Sequence, residues 1–202
     1  MCALDSILID KIAWEVLRGR AEHTRREPDW LYYHGHRTGK IALWLAYKIG
    51  EPVDRHILYT GALFHDIAKG TEPHHEIGAS QARGLLSSVC TATELDAISK
   101  VILYHNHRNN PEHSPDIKIV QDADLLDHVG VIGPWLAFYW SGSRKETIDD
   151  HLKFFRSGEN LRHQEELRSS LNFAASVEEF DRRIEYEDEF FNRFHQVYME
   201  GI

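Results

Sequence analysis

Cysteine is scarce in this chain of 202 residues. Only Cys2 and Cys90 occur, which excludes a disulfide framework and a thiolate zinc cluster and leaves nitrogen and oxygen donors for any metal. Long apolar runs are also missing. The longest candidate, residues 41–47, is far below the roughly 20 residues that a membrane-spanning helix needs. The first residues carry no basic stretch, and Asp5 and Asp10 interrupt their apolar character, so they do not read as a signal peptide. Positive charge is in deficit, with 23 Lys and Arg against 32 Asp and Glu and a net charge of −9, which argues against a non-specific nucleic-acid binder. There is no Pro/Gly/Ser-rich linker, no internal repeat and no sustained β alternation with hairpin turns. A cytoplasmic, soluble protein is expected, with residues 1–202 forming one domain and with no nucleic-acid or membrane partner.

What is present is helical periodicity. Ile7, Ile9, Ile12, Ala13, Val16 and Leu17 predict a first amphipathic helix that ends near the charged segment 20–27. A second runs from about residue 31 to Gly50, with Ile41, Ala42, Leu45, Ala46 and Ile49 as its buried stripe and Gly50 as the stop. A third covers 54–66 and closes at Lys69-Gly70. Helices over 75–90, 93–106 and 117–128 follow, the last two announced by Thr93-Glu94 and Ser114-Pro115-Asp116. Beyond Gly130 come an aromatic stretch with Trp135, Phe138, Tyr139 and Trp140, and then charged helices over 145–169 and 177–199. Phe180, Ile184, Phe190, Phe191 and Phe194 are expected to pack these on the preceding bundle. The fold class is all-α.

Histidine is abundant, at 14 residues, and 10 of these fall between His34 and His128. His23, His56, His113, His151, His163 and His195 have no partner at ligand spacing and read as surface or core histidines. The others gather around the dipeptide His65-Asp66, where an apolar helix ends in two good ligands for a divalent ion. His34 lies upstream; His75, His105 and Asp124 lie downstream, at the ends of successive helical segments. Two imidazoles, from His34 and His65, together with Asp66 and an Asp from a later helix, form a harder donor set than a structural zinc site. They suit manganese, iron, magnesium, zinc, nickel or cobalt with positions open to water. One ion is expected, with His75 and His105 as candidates for a second ion or for orienting a phosphate. Lys69 falls at i+4 from His65 and i+3 from Asp66, and Arg37 at i+3 from His34. A cation beside a metal is unfavourable unless an anion lies between, so Lys69 and Arg37 are candidate contacts for a phosphate. A helix-terminal lysine and a surface salt bridge are the structural alternatives.

The run His34-x-x-Arg37, Ala42, Leu45-Ala46, Ala62-Leu-Phe-His-Asp-Ile-Ala-Lys69, His75-x-x-Gly78-Ala79-x-x-Ala82, residues 98–105 and Val120-Gln-Asp-Ala-Asp124-x-Leu-Asp127 resembles the HD superfamily of metal-dependent phosphohydrolases. The resemblance covers about residues 30–130, with the helices of about 132–200 added to that core. It is nearest to a small bacterial-type subgroup that includes nucleoside-triphosphate pyrophosphohydrolases. It implies His34, His65, Asp66 and Asp124 as metal ligands, His75 and His105 as the extra histidines of binuclear or phosphate-assisting variants, and a phosphorylated small substrate, a nucleotide foremost, cleaved by the chain alone or as a homodimer. Asp66, Lys69 and His75 are the implied catalytic group. Thr38 stands where the family has valine, His36 offers a competing ligand beside His34, and Asp122 and Asp127 flank the fourth ligand. Asp124 fits the Ala-Asp-x-Leu pattern, Asp122 falls nearly opposite it on a helix, and Asp127 is then free to brace a ligand from behind. Trp30, Tyr32, Tyr33, Tyr104 and Trp135 could stack on a base but are ordinary core aromatics by composition. The same donor set also suits a di-iron oxygenase, and a non-catalytic nucleotide-binding module is the remaining alternative.

Overall fold

The computed structural model describes residues 6–19 and 26–201, and every regular element among them is helical. Cys2, Asp5, His23 and most of the charged segment 20–27 lie outside the described residues. In chain order the elements are α1 (Ser6–Leu17), α2 (Trp30–Ile49), α3 (Arg55–Phe64), α4 (His74–Leu86), α5 (Ala92–Tyr104), α6 (Pro115–Asp127), a 3-10 turn (Gly130–Ile132), α7 (Gly133–Ser143), α8 (Ile148–Phe155), α9 (Gly158–Ser169) and α10 (Ala174–Glu200). Among the described residues no helix is long and apolar enough to cross a membrane.

The helix ends follow from local chemistry. The Asp54 side chain accepts from the backbone N–H groups of His56 (2.8 Å) and Ile57 (3.1 Å) and starts α3. Thr91, two residues before the expected Thr93, caps α5. Its hydroxyl accepts from the Glu94 N–H while the Glu94 carboxylate accepts from the Thr91 N–H, so each residue satisfies a donor of the other. Gly50 ends α2 at φ 76°, donating its N–H to the Ala46 carbonyl. The expected helix over 145–169 is broken in two, because Ser157 accepts from the Asn160 N–H and starts a new helix at Gly158. The aromatic stretch after Gly130 is itself a helix, α7, with Pro134 in its first turn.

Two apolar clusters organise the bundle. Ile9, Ala13 and Leu17 of α1, with Ile7 left exposed, meet Trp30 and Leu31 of α2, Leu63 and Phe64 of α3, and Ile98 and Ile102 of α5. On the other side Ala42, Leu45 and Ala46 of α2, Leu58 and Ala62 of α3, Val101 of α5 and Val120, Ala123 and Leu126 of α6 pack together, and α10 inserts Phe180. Of the expected α10 stripe, Phe180 and Ile184 face this cluster. Phe191 is buried between Phe138, His151 and Phe155, whereas Phe190 stays 42% exposed. Close approach of α2 to α3 is permitted by Gly35, where an added Cβ would collide with the Leu63 backbone carbonyl.

α10 is also tied to the segment that follows α6. Gly130, at φ 87°, donates its N–H to Glu187 Oε2 at 3.0 Å. Burial pushes the Glu187 carboxyl up to about 7 from its ordinary 4.5; the Gly130 hydrogen bond opposes the shift and neighbouring Asp188 adds to it. The folded chain therefore holds this proton more tightly than the unfolded chain. The associated stability is fully present below pH 4.5 and is lost as pH rises through about 7. Glu187→Gln keeps an acceptor for Gly130 and cannot ionise. It is expected to raise the melting temperature at pH 8 and to leave it unchanged near pH 4, a difference that thermal melts across that range will read.

Candidate metal centre

The end of α3 places the central dipeptide. The helix stops at Phe64, two residues earlier than the expected 66, and the chain continues in tight turns: the Ile67 N–H reaches the Phe64 carbonyl at 3.0 Å and the Lys69 N–H reaches the Asp66 carbonyl at 2.8 Å. His65 keeps helical dihedrals, φ −56° and ψ −35°, and both His65 and Asp66 reach the gap between α2 and α6.

Four side chains converge there. His34 Nε2 lies 3.2 Å from His65 Nε2, 3.3 Å from Asp124 Oδ1 and 3.9 Å from Asp66 Oδ2. His65 Nε2 lies 3.5 Å from Asp124 Oδ1 and 3.8 Å from Asp66 Oδ2. The other ring nitrogen of each histidine is already committed. His34 Nδ1 donates to Asp127 Oδ2 at 2.7 Å, and His65 Nδ1 donates to the Ala62 carbonyl at 2.6 Å. Both Nε2 atoms thus turn inward, and two imidazole lone pairs facing each other at 3.2 Å require a proton or a cation between them. Bonds of about 2.0–2.2 Å from one ion to nitrogen and oxygen set neighbouring ligand atoms about 3 Å apart, which these spacings fit.

The electrostatics agree with a cation site. Burial would raise the Asp66 carboxyl, but His65, His105 and Lys69 outweigh it and hold the group well below the usual carboxylate range. Asp124 is likewise held low against burial, by His34, His65 and His128. Burial would lower His34, yet Asp124 and Asp127 together push it up to about 9, the mark of a site that favours positive charge.

A second group adjoins the first through Asp66. Its Oδ1 lies 3.3 Å from Lys69 Nζ, 3.5 Å from His105 Nε2 and 3.6 Å from His74 Nε2. His105 Nδ1 donates to the Ile102 carbonyl at 2.7 Å, which aims its Nε2 at Asp66. His74 Nε2 is buried and has no hydrogen-bond partner, the mark of a donor set with a component still to be added. The expected His75 is not the residue that arrives here. As consecutive residues at the start of α4, His74 and His75 point about 100° apart, and His75 instead packs on His107, with ring centroids 4.8 Å apart, and approaches Asn106.

Around these ligands the remaining residues sort clearly. Arg37 donates Nε to Asp127 Oδ1 at 2.7 Å and Nη2 to Asp127 Oδ2 at 2.9 Å, so it braces the carboxylate that braces His34. Asp122 faces away from the centre and accepts from the Asn172 and Phe173 backbone N–H groups, anchoring the start of α10. His36 donates to the Tyr59 hydroxyl at 2.9 Å and lines a separate cavity of about 550 Å³ with Asp10 and Lys40, so it does not compete with His34. Trp30 is buried, its ring stacked on His34 with centroids 5.0 Å apart, whereas Trp135 and Tyr33 are exposed. Besides His74, three residues were missed in the sequence. His128 donates Nδ1 to the Asp124 carbonyl and lies against His34; Arg108 holds Asp124; Arg26 lies over Trp30 and Trp140 and is influenced by Asp66. His128, at i+4 from Asp124, was open to recognition by helical spacing. The other two come from loops and left no such signal.

Residues 31–128 match the HD domain family. The chain therefore carries an HD domain, and the convergent histidines and aspartates lie within it. Solved structures extend the similarity across nearly the whole chain. An HD-superfamily hydrolase from Bacillus thuringiensis is 24% identical with a TM-score of 0.70, covering 96% of this chain and 98% of that one. YpgQ of Bacillus subtilis in complex with ADP is 19% identical at a TM-score of 0.67, covering 98% and 99%. A predicted HD-superfamily hydrolase from an uncultured Thermotogales bacterium is 21% identical at 0.64, covering 95% and 92%. At these identities the likeness establishes the shared helical fold, including α7 to α10 beyond the HD domain. No curated protein matches the chain.

Partners behind a metal ligand typically contribute 10- to 100-fold to affinity. Asp127→Ala is therefore expected to weaken manganese binding by about 10- to 100-fold while circular dichroism stays helical. Calorimetric titration with Mn²⁺ checks this; an unchanged affinity would remove Asp127 from the ligand support.

Proposed function

We propose that the chain is a metal-dependent phosphohydrolase that cleaves a phosphoester or phosphoanhydride of a small substrate, a nucleotide foremost. One observation carries this reading. His34 Nε2, His65 Nε2, Asp66 Oδ2 and Asp124 Oδ1 converge with spacings of 3.2 to 3.9 Å, with Lys69 Nζ 3.3 Å from the other Asp66 oxygen. These four side chains would hold a divalent ion, which would supply a Lewis acid for a phosphoryl oxygen and a water of lowered pKa.

The protein's own groups do the rest. His34 and His65 are held by Asp127 and Ala62 in the tautomer that presents Nε2. Asp66, kept ionised, turns one oxygen to each histidine group and is placed to accept a proton from an attacking water. Lys69, 35% exposed, lies beside Asp66 and offers positive charge to the phosphate oxygens. His74 and His105 take the place that the sequence gives to His75 and His105, orienting a phosphate or holding a second ion. Arg37 acts through Asp127 rather than on substrate. Support for a nucleotide comes from the fold shared with YpgQ, which was solved with ADP.

The two groups sharing Asp66 also suit a pair of ions, which favours the di-iron oxygenase as the second reading. Oxygen separates the two: hydrolysis proceeds anaerobically with manganese, whereas an oxygenase consumes oxygen with iron.

The test is a panel of nucleotides and phosphomonoesters assayed with Mn²⁺, reading phosphate and pyrophosphate release separately. Wild-type protein is expected to turn over at least one nucleotide, Asp66→Ala to be inactive while still helical, and Lys69→Ala to lose substrate binding or turnover with manganese affinity equal or higher. Near-full turnover by Asp66→Ala at saturating manganese would move the site elsewhere.

A further inference from the structure

Both carboxylates of the centre are divided between two tasks. Asp66 gives Oδ2 to His34 and His65 and Oδ1 to Lys69, His74 and His105. Asp124 gives Oδ1 to His34 and His65, while its Oδ2 accepts from Arg108 Nη2 at 3.1 Å. Arg108 is itself fixed, because its Nη1 donates to the Gln121 carbonyl at 2.6 Å. The Gln121 side chain in turn donates to the Tyr104 carbonyl at 2.8 Å and the His107 carbonyl at 3.0 Å. The loop 105–114 is thus stapled onto α6 and returns one guanidinium to the outer oxygen of Asp124. That guanidinium is mostly buried, with its side chain 21% exposed.

A carboxylate beside a divalent ion can bind through one oxygen or through both. We propose that Arg108 is a positioning residue that occupies Asp124 Oδ2 and so restricts Asp124 to a single ligand oxygen. This inference rests on the metal-centred reading above. With one atom each from His34, His65, Asp66 and Asp124, an ion that prefers about six ligands keeps about two positions for water and substrate oxygen. A second oxygen from Asp124 would fill one of them. Arg108 also opposes the ion by charge, since a guanidinium near a divalent cation is repulsive and competes for the same carboxylate. The centre is therefore tuned toward open positions at the expense of affinity.

The sign of this effect separates it from plain scaffolding. Arg108→Ala is expected to bind Mn²⁺ about 5-fold more tightly, to lose about one of the exchangeable waters seen by water-proton relaxation of the bound manganese, and to turn over more slowly. Arg108→Gln removes the charge but keeps the length, so it is expected to bind Mn²⁺ more tightly as well, and it preserves the comparison should the alanine variant fail to fold. A guanidinium that merely holds the loop predicts the reverse, with weaker manganese binding and an unchanged water count. That result, or Mn²⁺ affinity and hydration equal to wild type in the folded variants, would overturn the proposal while leaving the phosphohydrolase reading in place. A wild-type protein that binds no Mn²⁺ would overturn both.

Discussion

The approach of α2 to α3 is the constraint on which the centre depends. His34 leaves α2 and His65 follows α3, and their Nε2 atoms meet at 3.2 Å only because the residue after His34 is a glycine facing the Leu63 backbone. Overpacking at such a contact typically costs 1–3 kcal/mol and displaces backbone, and here the displaced segment is two residues from a ligand. The two apolar clusters lie on either side of this seam, so the hydrophobic effect that compacts the bundle also drives the two imidazoles together.

Placing two carboxylates and several imidazoles in a dry interior is costly unless each is paired. The protein meets this by bracing each group from behind: His34 by Asp127 and Arg37, His65 by the Ala62 carbonyl, His105 by the Ile102 carbonyl, and Asp124 by Arg108. Only His74 Nε2 among these ring atoms is left without a partner, on the side where Lys69 and Asp66 also face. Two of these braces are local, the carbonyls three residues before His65 and His105, and two come from other elements, Asp127 of α6 to His34 and Arg108 of the loop before α6 to Asp124. α10 contributes at one remove: it captures Asp122 at its start and the Gly130 turn through Glu187, fixing α6 at both ends of the segment that carries Asp124.

Much of this was legible in the sequence, for reasons that can be named. His34, His65, Asp66 and Asp124 could be picked out because donor type and order along the chain survive without coordinates, and helical spacing separated Asp124 from Asp122 and assigned Asp127 to the support. The helices of the HD region followed from apolar period, with errors of one to four residues at their ends, whereas α7 was not foreseen as a helix and the helix expected over 145–169 is two. Those small errors matter at the site. A difference of one residue at the start of α4 separates His74, which reaches Asp66, from His75, which packs on His107. Arg108 and Arg26 escaped because both sit in loops, where no helical spacing marks which partner a side chain meets. Arg37 was placed on the right helix face, but a carboxylate 90 positions on claims its guanidinium.

The central claim is that one divalent ion belongs between His34, His65, Asp66 and Asp124. Crystals grown with Mn²⁺ and measured for anomalous scattering test it most directly. A peak about 2.0–2.3 Å from His34 Nε2, His65 Nε2, Asp66 Oδ2 and Asp124 Oδ1 is the predicted result. An ordered structure of the manganese-loaded protein with the peak elsewhere, or with these four atoms turned away from it, would contradict it.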